Sequence, residues 1–591
     1  MDAADAVDDE PLAWGRHLPA RVRQLYTLGA RPLLVSGVAL IAWAFAAATP
    51  PVEVIGALTV PLALALVLQR RLIGRTPGGR HGRFVLADGT AVGTFVVPRL
   101  AVLAALVPTS RGDVPRMATL AVLAAALLAE PVLRTLLRRA VPYAFNVPAD
   151  YGPVRNWPFL DPTLAWLAWL FSAVCAILGQ VAGGGEVVGL VAAFLTLGLV
   201  ATLGADAFRR TTARQRFERR IPELLAEVAP AMLLHWESVP GTGYQVRMWL
   251  PYLDRVGAPY VIVLRDPLNV PDVCHTATVP IIVRPALEQL DEVAATPSLR
   301  VALYVNTATK NQHLVRYANL THIQLNHGDS DKAPSHNPAF RLYDRNYVAG
   351  QAAIDRFAAN AVRVQEDFFR IVGRPQVENV LPAPDVDRTP TTVLYAPTWR
   401  GFYTDSDYSS LRVGADLVRE LLERGVRVVF RPHPFARNDS RLAQCCDAII
   451  ELLTEDSATT GVDHVHGPRA EDVEVVECFN LADIMLSDVS SVLGDFLYSE
   501  KPYVLLATQL QVDDLRVDVP LADGGYVVRA VDGTTARTDL AAVLDLALGP
   551  DPARTRRSEL RRHYLGDLPR DGYANRFVEV MRDELGLPPA S

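Results

Sequence analysis

Six long apolar runs crowd the first 210 residues, at roughly 32–48, 52–69, 92–108, 115–133, 163–182 and 185–205. A bilayer crossing takes about 20 residues, within a range of about 17–25. The first, second, fifth and sixth runs meet that length cleanly. Pro98 and Arg99 interrupt the third, and the fourth carries Glu130 and Pro131. Arginines lie before the first run (Arg16, Arg21, Arg23, Arg31), after the second (Arg70, Arg71, Arg75, Arg80, Arg83), after the fourth (Arg134, Arg138, Arg139) and after the sixth (Arg209, Arg210, Arg214, Arg216). The opposite connections hold only Arg111. This asymmetry predicts six spans with both ends in the cytoplasm. Four spans with two interfacial segments is the alternative, and either even count leaves the C-terminal part cytoplasmic. The acidic residues 1–28 lack the form of a cleaved signal and are expected to be a disordered tail.

The chain has 591 residues, too many for one hydrophobic core. Its formal charge of −7 argues against a general nucleic-acid binder, and lysine occurs only at 310, 332 and 501. Cys175, Cys274, Cys445, Cys446 and Cys478 form no CxxC pair, so neither a disulfide framework nor a zinc site is expected.

From about 216 onward the pattern changes. Short apolar stretches at 229–234, 259–264, 278–283, 299–304 and 321–325 alternate with helical segments such as 243–255 and 285–294. A second series begins at 392–396 and runs through a helix near 411–424, then 426–430, 473–476, 483–487 and 502–507. Short buried strands alternating with helices predict parallel βαβ units. The loop 381–390 reads as a linker. The expected organisation is a tail at 1–28, a transmembrane region of about six helices over 29–210, and two Rossmann-like domains, 216–385 and 386–591, facing a cleft.

Candidate chemistry sits where strands stop. His327, between Asn326 and Gly328, has a pKa suited to general-base work, or it caps the loop. Arg431-Pro432-His433-Pro434 follows a strand directly, and its prolines stiffen the loop that aims Arg431 and His433. Arg431 suits phosphate oxygens, and a salt bridge in a rigid turn is its bland alternative. Ser487-Asp488-Val489-Ser490-Ser491 opens a helix, where Ser490 and Ser491 can bind an anion or act as plain caps. Trp399 and Arg400, after Tyr395, offer a flat face and a cation, or a core tryptophan.

In this order NHGDSDKAPS (326–335), YAPTWR (395–400), RPHP (431–434) and SDVSSVLGDF (487–496) resemble the CDP-glycerol glycerophosphotransferase family, which includes polymerases and primases of teichoic acid synthesis. The resemblance covers about 230–510. It implies a GT-B fold, acceptor side first and CDP-alcohol side second. It implies His327 as the base on the acceptor hydroxyl and His433 with Arg431 on the donor pyrophosphate. Ser490 and Ser491 would bind phosphate, with Asp488 and Asp495 in the same segment. The implied reaction moves glycerol phosphate, or a related alcohol phosphate, from CDP-glycerol to a lipid-linked or polymer hydroxyl. It releases CMP and involves no metal or cofactor. The expected place is the cell membrane, multi-pass, with the catalytic part in the cytoplasm. A nucleotide-sugar glycosyltransferase and a non-catalytic module of a membrane polysaccharide assembly are the competing readings.

Overall fold

The structure, a computed structural model, describes residues 96–591 apart from 141–142, 153–161, 183–185, 384–390, 402–406, 510–511, 570–571 and 590–591. The expected tail, the first two apolar runs and most of the 381–390 loop therefore lie outside the described residues. The chain divides into two compact units, Met1–Ile221 and Pro222–Ser591.

In the first unit the remaining four apolar runs are all helical: α1 (Val96–Ser110), α2 (Val114–Arg139), α3 (Pro162–Ala182) and α4 (Glu186–Arg219). Asp113 caps α2, its side chain accepting the Arg116 amide. Leu103, Leu123, Leu127, Trp169 and Ile177 pack between the helices. Yet Leu128, Phe171, Leu195 and Phe208 remain exposed, so the bundle is apolar outside as well as inside. Val114–Leu137 and Glu186–Arg219 are long and apolar enough to cross a membrane. The charges that made the third and fourth runs irregular neutralise one another. The Arg99 guanidinium donates to both carboxylate oxygens of Glu130, at 2.9 and 2.5 Å, and lies 5.1 Å from the centre of the Trp169 ring.

The second unit holds two parallel sheets. Seven strands of this unit lie in the first: β1 (Met232–Trp236), β2 (Tyr260–Leu264), β3 (Ile281–Val283), β4 (Val301–Tyr304), β5 (Thr321–Gln324), β6 (Arg345–Val348) and β7 (Phe369–Ile371). Their order across the sheet is β3-β2-β1-β4-β5-β6-β7. The second sheet comprises β8 (Thr392–Tyr395), β9 (Arg427–Phe430), β10 (Ile484–Ser487), β11 (Tyr503–Ala507) and β12 (Tyr526–Arg529), ordered β9-β8-β10-β11-β12. Residues in β1, β2, β8, β10 and β11 are buried throughout, as parallel strands covered on both faces must be.

The strand order reverses between β1 and β4 and again between β8 and β10, which makes each sheet Rossmann-like. Loops at such reversals border a crevice at the carboxyl ends of the strands. At the end of the chain, α5 (Arg554–Leu565) is followed by α6 (Tyr573–Glu584), which returns to the first sheet's helices. There Phe577 packs against Trp249, with ring centres 5.1 Å apart, and Arg582 donates to the Val256 carbonyl at 2.6 Å.

The strand expected at 473–476 is a correction: the segment leads into a helix, Val475–Leu481, that buries Cys478 and Phe479. Its β-branched valines gave a strand signal that packing of the helical face overrides. Strands β6, β7 and β12 went unrecognised because Arg345, Asn346, Arg370 and Arg529 break their apolar runs.

Candidate active site

The acceptor-side loop is shaped by Asn326. Its φ of 62° is a left-handed conformation that asparagine tolerates better than most residues. The Asn326 side chain donates to Asn346 Oδ1 at 2.8 Å and to the Tyr347 carbonyl at 3.1 Å, while its own carbonyl accepts from Trp249 Nε1 at 2.6 Å. The turn brings His327 Nδ1 to 2.6 Å from the carbonyl of Val305, just past β4. A carbonyl can only accept, so Nδ1 carries the proton and the neutral ring keeps its lone pair on Nε2. Burial pushes the pKa of His327 down, the Val305 hydrogen bond opposes it in part, and the charge of Arg374 adds a smaller lowering. His327 is therefore neutral near pH 7, in the tautomer a base acting through Nε2 requires.

His433 adopts the opposite tautomer. The Arg431–Pro434 loop is tied to its neighbour by the Arg431 amide donating to the Tyr395 carbonyl and the His433 amide to that of Pro397, at 3.0 and 2.9 Å. His433 Nδ1 accepts the Phe435 amide at 3.1 Å, so the neutral ring bears its proton on Nε2. Burial, then the charges of Lys332 and His327, push its pKa down to about 3. It is a neutral hydrogen-bond donor, not an imidazolium. Trp399 stacks on it, with ring centres 5.9 Å apart and planes 26° from parallel. That face of the indole is covered by His433.

Several other expected site residues are held by protein groups. Asp488 is fully buried and accepts the amides of Thr398 and Ser410, each at 2.6 Å, clamping two loops beside the cleft. Asp495 takes a two-pronged ion pair from Arg374, at 2.8 and 3.0 Å. Arg400 is exposed and pairs with Asp439 at 2.8 Å. Arg431 gives one guanidinium hydrogen bond to the Ala470 carbonyl. Ser490 and Ser491 are half-buried at the start of the Ser491–Phe496 helix.

The two sheets' loops meet here. A β-carbon at Gly328 would stand 2.7 Å from Ser491 Oγ. Lys332 Nζ, from the same acceptor-side loop, lies 3.4 Å from Thr398 Oγ1. Its charge and that of His327 both bear on His433. His327, His433, Ser491 and Lys332 are thus gathered, while Arg400 stays outside. Arg374 and Val305 lie outside the four motifs, and Lys332, inside NHGDSDKAPS, was not singled out within it. Only Lys332 could have been singled out, as one of three lysines in the chain.

Residues 294–514 match the model of the family described as CDP-Glycerol:Poly(glycerophosphate) glycerophosphotransferase. The match bears out the resemblance read from the four motifs, all inside the matched stretch, and with it the reading of the chain as a glycerophosphotransferase-type enzyme. No curated protein matches the chain. Among solved structures, the wall teichoic acid polymerase TagF is similar at 14% identity, covering 64% of this chain and 94% of its own, with a TM-score of 0.39. A UDP-N-acetylglucosamine 2-epimerase gives 12% identity, 61% and 99% coverage and a TM-score of 0.40. A glycosyltransferase from Rickettsia africae gives 10%, 60% and 99%, and 0.40.

Proposed function

We propose that the chain is a membrane-bound transferase that moves glycerol phosphate, or a related alcohol phosphate, from a CDP-alcohol donor to a hydroxyl of a lipid-linked or polymer acceptor. CMP leaves, and the product belongs to teichoic-acid-like polymer synthesis. The membrane part of the reading is supported by the two membrane-length helices and by the arginine-rich connections. Six spans with the catalytic unit in the cytoplasm is the topology proposed.

One observation carries the chemistry: two neutral histidines with opposite tautomers at a cleft between two Rossmann-like sheets. In this reading the acceptor hydroxyl gives its proton to His327 Nε2 as its oxygen bonds to the β-phosphorus of the donor. The bond from that phosphorus to the bridging oxygen breaks, and the oxygen departs on CMP. His433 Nε2–H donates to a phosphate oxygen, joined by the Ser490 and Ser491 hydroxyls and by Arg431. Trp399 holds the His433 ring, and Asp488 holds the loop beneath it. Asp495 acts at one remove, by fixing Arg374 behind His327. Phosphoryl transfer relies on positioning and charge stabilisation, which such an arrangement supplies.

The test is incubation of the purified full chain with CDP-glycerol and membrane lipid, with CMP release as the readout. Release that depends on His327 supports the reading. Inertness toward CDP-glycerol, CDP-ribitol and related CDP-alcohols, with turnover of a nucleotide sugar, would replace it by a glycosyltransferase.

A further inference from the structure

We propose that Lys332 is a second cation on the donor's pyrophosphate, beside Arg431, reaching across the cleft from the loop that carries His327. The proposal rests on the CDP-donor reading above and adds a residue that meets the donor's charge.

The chain places arginine at nearly every cationic position, and its lysines are exceptions with separate explanations. Lys310 pairs with Glu237 at 2.8 Å. Lys501 is buried and donates to the carbonyls of Phe479 and Ala482, at 2.8 and 2.7 Å. Lys332 has no comparable anchor. Its ammonium lies 3.4 Å from the Thr398 hydroxyl and 5.3 Å from the centre of the Tyr408 ring. Among the described residues, no carboxylate comes within 4.0 Å of it.

Three nearby arginines differ in this respect, whereas Arg431 is held by the Ala470 carbonyl. Arg374 is matched to Asp495, Arg356 to Asp329 and Asp331, and Arg400 to Asp439. Asp488 and Asp407 act on Lys332 only through space, and each oxygen of Asp488 already holds a backbone amide. A half-buried ammonium without a counter-ion is costly to desolvate, and burial does push the Lys332 pKa down. A bound anion removes that cost. Thr398 follows Pro397, whose carbonyl accepts the His433 amide at 2.9 Å, so the contact with Thr398 places the ammonium on the donor wall of the cleft, beside the proposed phosphate donor. When the bond to the bridging oxygen breaks, negative charge grows on the departing CMP phosphate. A fixed ammonium there favours that change.

The experiment uses the full chain in detergent and compares wild type, Lys332→Met and Lys332→Arg. Binding of CDP-glycerol, CMP and cytidine is measured by calorimetry or competition, with melting temperature as a check on folding. Lys332→Met is expected to weaken CDP-glycerol and CMP binding about 10- to 100-fold, the usual range for one charged hydrogen bond. Cytidine affinity stays unchanged, and Lys332→Arg recovers part of the loss. Unchanged CMP binding in Lys332→Met overturns the proposal. So does an equal loss for CMP and cytidine, which marks a structural role. If wild type turns over CDP-glycerol while Lys332→Met behaves identically, this assignment alone fails. If wild type neither binds nor turns over any CDP-alcohol, the donor reading fails and this one with it.

Discussion

Gly328 lies so close to Ser491 that a β-carbon on it would stand 2.7 Å from the serine Oγ and 2.8 Å from its Cβ. The glycine after His327 therefore sets how nearly the first sheet's loop approaches the second sheet's. Gly328→Ala should separate the two walls by a few tenths of an ångström. Misplacement on this scale is expected to lower CMP release at least tenfold, with overpacking costing about 1–3 kcal/mol of stability. Adding Ser491→Gly removes both clashing atoms and should restore melting temperature in the double variant. A Gly328→Ala enzyme with full activity contradicts the close approach.

His327→Ala should reduce the rate of CMP release by about 10²–10⁴, the range for loss of a general base. Because the His327 pKa is lowered, the acid limb of the wild-type pH profile should lie below the ordinary histidine value of about 6.5. Replacing Arg374, whose charge contributes to that lowering, should move the acid limb upward. An acid limb unchanged by that replacement would remove Arg374 from the account.

His433 predicts a stability effect with the opposite experimental handle. Its folded-state pKa of about 3 lies below the unfolded value of about 6.5, so the unfolded chain binds the extra proton between them. Stability from this group is complete above about pH 6.5 and is lost as pH falls from there toward 3. Thermal melts across pH 4–7 should show this slope, and His433→Gln should flatten it.

The Arg374–Asp495 pair joins the segment after β7 to the helix after β10, both side chains largely buried. Arg374→Met leaves Asp495 uncompensated and should cost about 3–5 kcal/mol. The double variant Arg374→Met with Asp495→Leu should recover most of that in denaturant unfolding. Additive losses would show that the two side chains do not act as a pair.

In the helical unit, Glu130→Leu strands the buried Arg99 guanidinium. Lower yield of folded protein is expected, partly restored by exchanging the two charges (Arg99→Glu with Glu130→Arg). Proteolysis of protein in vesicles provides the measurement. Equal yields for all variants would show that the ion pair does not hold α1 against α2.

Much of this was legible beforehand because strand ends and motifs are local. His327, Arg431, His433 and Ser490 each follow an apolar stretch, and β8, β9 and β10 fell within a residue or two of expectation. The valines at 473–476 misled for the converse reason. Their strand propensity is local, whereas the helix there is chosen by what Cys478 and Phe479 pack against. Pro98, Arg99, Glu130 and Pro131 weakened two helices in the linear reading, yet Arg99 and Glu130 satisfy one another across 31 residues.

The sequence by itself determined the division into an apolar helical half and an α/β half, the motif order and the residue types available for phosphate chemistry. Side-chain periodicity and composition are properties of short windows, so they survive without a fold. Tertiary structure decided which nitrogen of each histidine carries the proton, because the deciding partners are the Val305 carbonyl and the Phe435 amide. It also decided that Asp488, Asp495 and Arg400 are committed to protein partners while Lys332 is not matched to a carboxylate among the described residues. Tautomer, ion pairing and desolvation depend on distances of a few ångströms between distant segments, which only the packed chain fixes.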